Sequence, residues 1–109
     1  MVEEIVTKYK DDPRICIWDI YNEPGNSNRQ ELALPLLKRM FEEVRSCNPS
    51  QPLTVGVQTV HGDENIPLDE ITQYAFEHSD IISYHFYQDY NEHIKIVYLL
   101  VLLVVYILV

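Results

Sequence analysis

Glycine is scarce in this chain, 3 residues in 109, and no glycine-rich loop of the kind that cradles phosphate follows any strand-like run. A nucleotide-binding doubly wound sheet therefore has no ligand argument behind it. Cysteine is scarcer still. Cys16 and Cys47 make neither a disulfide framework nor a zinc spacing, and both read as buried thiols. Lys and Arg number 8 against 17 Asp and Glu, a formal charge of −9 that argues against nucleic acid, whose phosphates need clustered cations. The start, Met1-Val2-Glu3-Glu4, lacks the basic segment, apolar run and cleavage site of a secretory signal, so none is expected. Long apolar runs are missing up to Lys95; from there residues 96–109 contain only Ile, Val, Leu and Tyr.

The chemistry is concentrated in residues 15–29, I-C-I-W-D-I-Y-N-E-P-G-N-S-N-R. Its apolar first half reads as a strand, stopped by Asn22-Glu23-Pro24-Gly25, which sets a carboxylate at the strand's carboxyl end. Adjacent residues in a strand point to opposite faces, so bringing Asn22 and Glu23 into one site requires a bulge or the strand's end there. Asp19 shares the parity of Glu23. Trp18 has that of Asn22 and is expected to pack outward as core.

With 47% hydrophobic residues the chain has material for one small domain. Val2, Ile5, Val6 and Tyr9 fall at helical spacing before Asp11-Asp12-Pro13. Ala33, Leu36, Leu37, Met40, Phe41 and Val44 form a second helical stripe, with Ser27 or Asn28 as cap and Pro35 in its first turn or kinking it. Residues 53–57 read as a short buried strand interrupted by Gly56. Pro67 marks a helix start, with Leu68, Ile71, Thr72, Ala75 and Phe76 on one face. Residues 81–87 form a third strand, with Ser83, His85 and Tyr87 on one face and Ile82, Tyr84 and Phe86 on the other. Strict alternation of helix and strand implies parallel strands with crossover helices: an α/β sheet or part of a (β/α)₈ barrel. The polar face of the third strand favours the barrel, whose sites lie at the carboxyl ends of the strands.

W-D-I-Y-N-E-P-G-N on one strand, followed two β/α units later by Y-H-F-Y, resembles the clan A glycoside hydrolases, families two and five, which include cellulases, mannanases and β-glycosidases. The resemblance covers residues 1–95 and implies strands four to six of a (β/α)₈ (TIM) barrel, roughly two fifths of the ~250 residues such a barrel needs. It implies that Glu23 is the general acid/base, that Asn22 binds the sugar's 2-hydroxyl, that His85 lines the sugar site and that Tyr87 bonds the nucleophile. It further implies retaining hydrolysis of β-linked poly- or oligosaccharides, no cofactor or metal, and a secreted or periplasmic parent enzyme. The nucleophilic Glu of the clan ends the seventh strand, and no counterpart is identifiable here, so the chain alone is expected to be inactive. As general acid Glu23 would need a raised pKa, from burial and the nucleophile's charge.

Two features stand outside this reading. His61, Asp63, Glu64 and His78 lack metal-ligand spacing and read as solvated surface. The apolar tail, residues 96–109, would span about 21 Å as a helix, short of the ~30 Å membrane core, so membrane contact through it is possible but a crossing is not expected. Its loss of amphipathic pattern fits a shifted reading frame or a mis-assigned gene end. The non-enzymatic alternative is a truncated half-barrel acting as a membrane-associated or oligomeric interaction protein, with the tail as anchor or interface.

Overall fold

Residues 53–57 are buried without exception, and the strand segments on either side of them hang on their backbone. The computed structural model describes residues 1–26, 30–58 and 67–108, with side chains up to Leu102. β1 (Trp18–Asp19) runs parallel to β2 (Leu53–Thr54), with Trp18 opposite Leu53 and Asp19 opposite Thr54. β3 (Gly56–Val57) runs parallel to β4 (Ser83–Tyr84), with Gly56 opposite Ser83 and Val57 opposite Tyr84. One central segment thus serves both neighbours, its first half bonded to the earlier strand and its second half to the later one. Hydrogen bonds extend the contacts beyond the regular strands. Ile20 N–H donates to Thr54 O at 3.0 Å, His85 N–H to Val57 O at 2.8 Å and Asp80 N–H to Leu53 O at 2.9 Å.

The regular strands are shorter than the apolar runs predict. The central run is two strands broken at Val55, because the Gly56 N–H turns to the Asp19 side chain, Oδ1 at 3.2 Å. Four helices complete the element order: α1 (Val2–Tyr9), α2 (Gln30–Ser46), α3 (Glu70–His78) and α4 (Tyr90–Leu108). Their apolar stripes meet the strands in one core of Val6, Leu37, Phe41, Val44, Leu53, Val55, Val57, Ala75, Ile96 and Leu100. Parallel pairing with crossover helices is the α/β arrangement that the alternation of periods implies.

Several details depart from expectation. Pro35 lies inside α2, beyond its first turn, and Leu36 is 45% exposed beside the buried Leu37. α3 starts three residues after Pro67. Its cap is Asp69, whose carboxylate accepts from the Ile71 and Thr72 N–H groups and so satisfies donors a helix start leaves free. Cys16 is exposed and Cys47 only half-buried; the Cys16 run is strand-like in composition but lies before β1 begins. The expected caps Ser27 and Asn28 fall outside the described residues, as do His61, Asp63 and Glu64.

Trp18 packs against the core as its parity requires, and its indole N–H has a dedicated acceptor, Gln51 Oε1, at 3.0 Å. The buried Gln51 amide in turn donates to Tyr9 O at 3.3 Å and Asp12 O at 3.0 Å. One side chain therefore joins the end of α1, β1 and the turn before β2. Arg45 makes a similar clasp at the end of α2: it grips both Asp80 carboxylate oxygens at 2.8 and 2.9 Å, while Asp80 Oδ2 also accepts the Leu53 N–H.

The composition break after Lys95 falls inside one helix. α4 runs through it, with Ile96 at 2% and Leu100 at 7% exposure packed into the core. Among the described residues no helix is long and apolar enough to cross a membrane.

Candidate active site

The strand bonding brings Glu23 to the end of the central segment by a one-residue slip. Trp18 N–H donates to Pro52 O and Ile20 N–H to Thr54 O, two residues apart on each side; the next donor to the central segment is Glu23, to Gly56 O at 2.8 Å, three residues on. That extra residue lies where the adjacent Asn22 and Glu23 demand a strand end or bulge. Glu23 holds the left-handed conformation, φ 48°, which is sterically costly for a residue with a Cβ and uncommon before a proline. Gly25, at φ 89°, completes the turn. A Cβ there would also lie 3.0 Å from Ile71 Cδ1.

The Glu23 side chain is only 16% exposed, and its carboxylate is held at both oxygens. His85 Nδ1 lies 2.7 Å from Oε1 and Asn26 Nδ2 donates to Oε2 at 2.7 Å. Tyr87 Oη stands at 3.5 Å from Oε1, a long contact from a side chain that is 82% exposed. With Nδ1 facing a carboxylate, which can only accept, that ring nitrogen is the donor of the bond. The His85 bond, then the Asn26 bond, hold the Glu23 carboxyl below its ordinary pKa; desolvation opposes them, and the His85 charge and the Tyr87 hydroxyl add to the lowering.

Gly56 makes room for this cluster. A Cβ on it would lie 3.0 Å from both Asp19 Oδ2 and His85 Nε2. Asp19, on the same parity as Glu23, has its donor within the chain: the Gly56 N–H. The Asn22 side chain is exposed and makes no hydrogen bond among the described residues.

Of the four residues singled out from sequence, Glu23, His85 and Tyr87 come together, and Asn22 sits beside them without joining. Asn26 and Gly56 went unrecognised as site residues. Asn26 had a local signal, since its N–H closes a turn on Glu23 O at 3.1 Å across the Pro-Gly pair; the role of Gly56 depends on two side chains from other strands and had none. His78, the remaining described member of the polar set, stacks on Tyr74 at a ring separation of 3.8 Å. Among the described residues no group of three or more His, Cys, Asp or Glu could hold a metal ion.

Parallel strands and crossover helices define an α/β protein, with a carboxylate met by an imidazole where the strand segments end. The profile of the family Cellulase (glycosyl hydrolase family 5) matches residues 1–96, and the chain belongs to that family. The match stops at the composition break and narrows the resemblance to family five. No curated protein matches the chain, and no solved structure does.

Proposed function

We propose that this chain is the strand-four to strand-six portion of a retaining (β/α)₈-barrel glycoside hydrolase acting on β-linked poly- or oligosaccharides, with Glu23 as the general acid/base. The observation that carries the reading is the convergence of His85 on Glu23, 2.7 Å apart, from the carboxyl ends of two segments that flank residues 53–57. In this reading Asn22, exposed beside the carboxylate, takes the sugar's 2-hydroxyl. His85 lines the sugar site and fixes the Glu23 carboxylate. Tyr87, exposed beside Glu23, bonds the nucleophile.

Retention requires a second carboxyl group about 5–5.5 Å from the first, to attack the anomeric carbon while Glu23 protonates the leaving oxygen. Within the family match no strand-end Glu follows Tyr87. The His85 and Asn26 hydrogen bonds hold the Glu23 carboxyl below its ordinary pKa, whereas a general acid needs it raised, the effect a neighbouring carboxylate would have. In this reading the chain alone has no nucleophile and does not turn over. Incubating the purified chain with an aryl β-glycoside tests this: turnover that disappears in Glu23→Gln overturns the inactivity. The parent reaction is tested in the encoding DNA, where a strand ending in Glu downstream of Tyr87, in any frame, is expected and its absence counts against the reading.

A further inference from the structure

α4 buries Ile96 and Leu100, yet an adjoining band of the same helix is apolar and open. Tyr90 is 75% exposed, Ile94 37%, Val97 45%, Tyr98 70%, Val101 56% and Leu102 63%. Within it Tyr90, Ile94, Val97 and Val101 follow one another at intervals of four, three and four residues, the spacing of a helix-pairing seam. His93, Tyr98 and the four seam residues frame a groove of about 360 Å³ that is far more apolar than polar. Four of these six residues lie beyond residue 96, where the family match ends, so the family's fold does not account for them.

We infer that this band is a homodimer seam, two copies of the chain pairing their α4 helices about a two-fold axis. Three observations favour a second copy as the occupant. The two tyrosines and four aliphatic residues expose on the order of 600 Å² per chain, so two facing copies bury about 1,200 Å², the lower bound of a stable interface. The band carries no charge, so a partner needs shape and apolar surface alone, and a second copy brings the same band in self-complementary form. The chain's charge of −9 repels another copy over the rest of its surface, which leaves an uncharged band as the place where two chains can touch. The inference does not rest on the glycosidase reading, and its test contains no activity measurement.

Sedimentation equilibrium of the purified chain at micromolar concentration is expected to give twice the 12.8 kDa chain mass. Added salt is expected to tighten the dimer, because it screens the repulsion and leaves the apolar contact intact. Ile94→Glu/Val101→Glu is expected to weaken association at least about tenfold while the far-ultraviolet circular dichroism stays unchanged. Leu36→Glu, an exposed apolar position on α2, serves as the control and is expected to leave the dimer intact. A spin label at Tyr98→Cys, in a Cys16→Ser/Cys47→Ser background, should broaden α4 amide signals of an unlabelled, isotope-enriched copy, a readout that does not depend on the charged variants folding. A monomer at all concentrations overturns the inference. So does open-ended assembly, a dimer equally strong in the α4 variant, or a monomer that binds neutral phospholipid vesicles through the same band.

Discussion

His85 Nδ1 and Glu23 Oε1 stand 2.7 Å apart although 62 residues separate them in the chain, and His85 is the largest cause of the lowered Glu23 pKa. Replacing His85 by Ala should raise the Glu23 pKa toward its ordinary value. Asn26→Ala should raise it by less. Carboxyl-carbon NMR titration of the two variants reads both shifts; a Glu23 pKa unmoved by His85→Ala would mean that the contact does not persist in solution.

The lowered carboxylates also set the acid limit of stability. Asp80 is lowered first by the Arg45 hydrogen bonds, with the Leu53 N–H and the Arg45 charge adding, and Glu23 by His85 and Asn26. A carboxyl whose folded pKa is depressed contributes stability that is fully present above its unfolded value, about 4, and lost as pH falls through the folded value. Urea midpoints should therefore be insensitive to these groups near neutrality and fall below about pH 4. Asp80→Ala should flatten part of that fall. At neutral pH it should cost about 1–2 kcal/mol, chiefly because the Leu53 N–H loses its acceptor, the half-exposed ion pair adding little.

Gly56→Ala places a methyl group 3.0 Å from Asp19 Oδ2 and His85 Nε2. Asp19 is exposed and can swing aside, but His85 is tied to Glu23 and must move with the loss of that bond. The expected outcome is a modest stability cost, about 1 kcal/mol, together with a raised Glu23 pKa. Measuring both separates the site effect from general destabilisation: a cost without a pKa change would place the strain elsewhere.

The local chemistry of this site was legible because it is written in short runs. W-D-I-Y-N-E-P-G states a strand, a stop and a carboxylate at the stop, and Y-H-F-Y states by parity which face His85 and Tyr87 share. The parallel order followed from alternating periods. What was not legible depends on pairs far apart in sequence: Asp19 taking the Gly56 N–H, which splits the central strand, and Gln51 gathering Trp18, Tyr9 and Asp12. Burial of Cys16 was inferred from apolar neighbours, yet it lies outside the paired part of its strand, where composition carries no information about cover.

Gln51 offers a test of that long-range wiring. Its side chain accepts from Trp18 Nε1 and donates to Tyr9 O and Asp12 O, at 8% exposure. Gln51→Ala leaves the part-buried indole N–H without its acceptor, while Tyr9 O and Asp12 O keep the Asp12 and Ile15 N–H donors, for an expected cost of about 1–3 kcal/mol. Trp18, the chain's sole tryptophan, reports the change directly. Its emission should shift to the red in the folded variant, and unchanged emission with an unchanged urea midpoint would refute the bracket.

The two sides of α4 should respond unequally to the same truncation. Ile96 is 2% exposed and shares the core with Leu37, Val44 and Leu53, whereas Val97, the next residue, is 45% exposed. Ile96→Ala should cost about 2–5 kcal/mol, the transfer of the lost methyl groups plus the cavity they leave. Val97→Ala should cost less than about 0.5 kcal/mol in the monomer. Chemical denaturation at a concentration below that of self-association compares them. If Ile96→Ala is as mild as Val97→Ala, the apolar segment is an appendage beyond the family's last residue. If the predicted contrast holds, the first turns after Lys95 belong to the core.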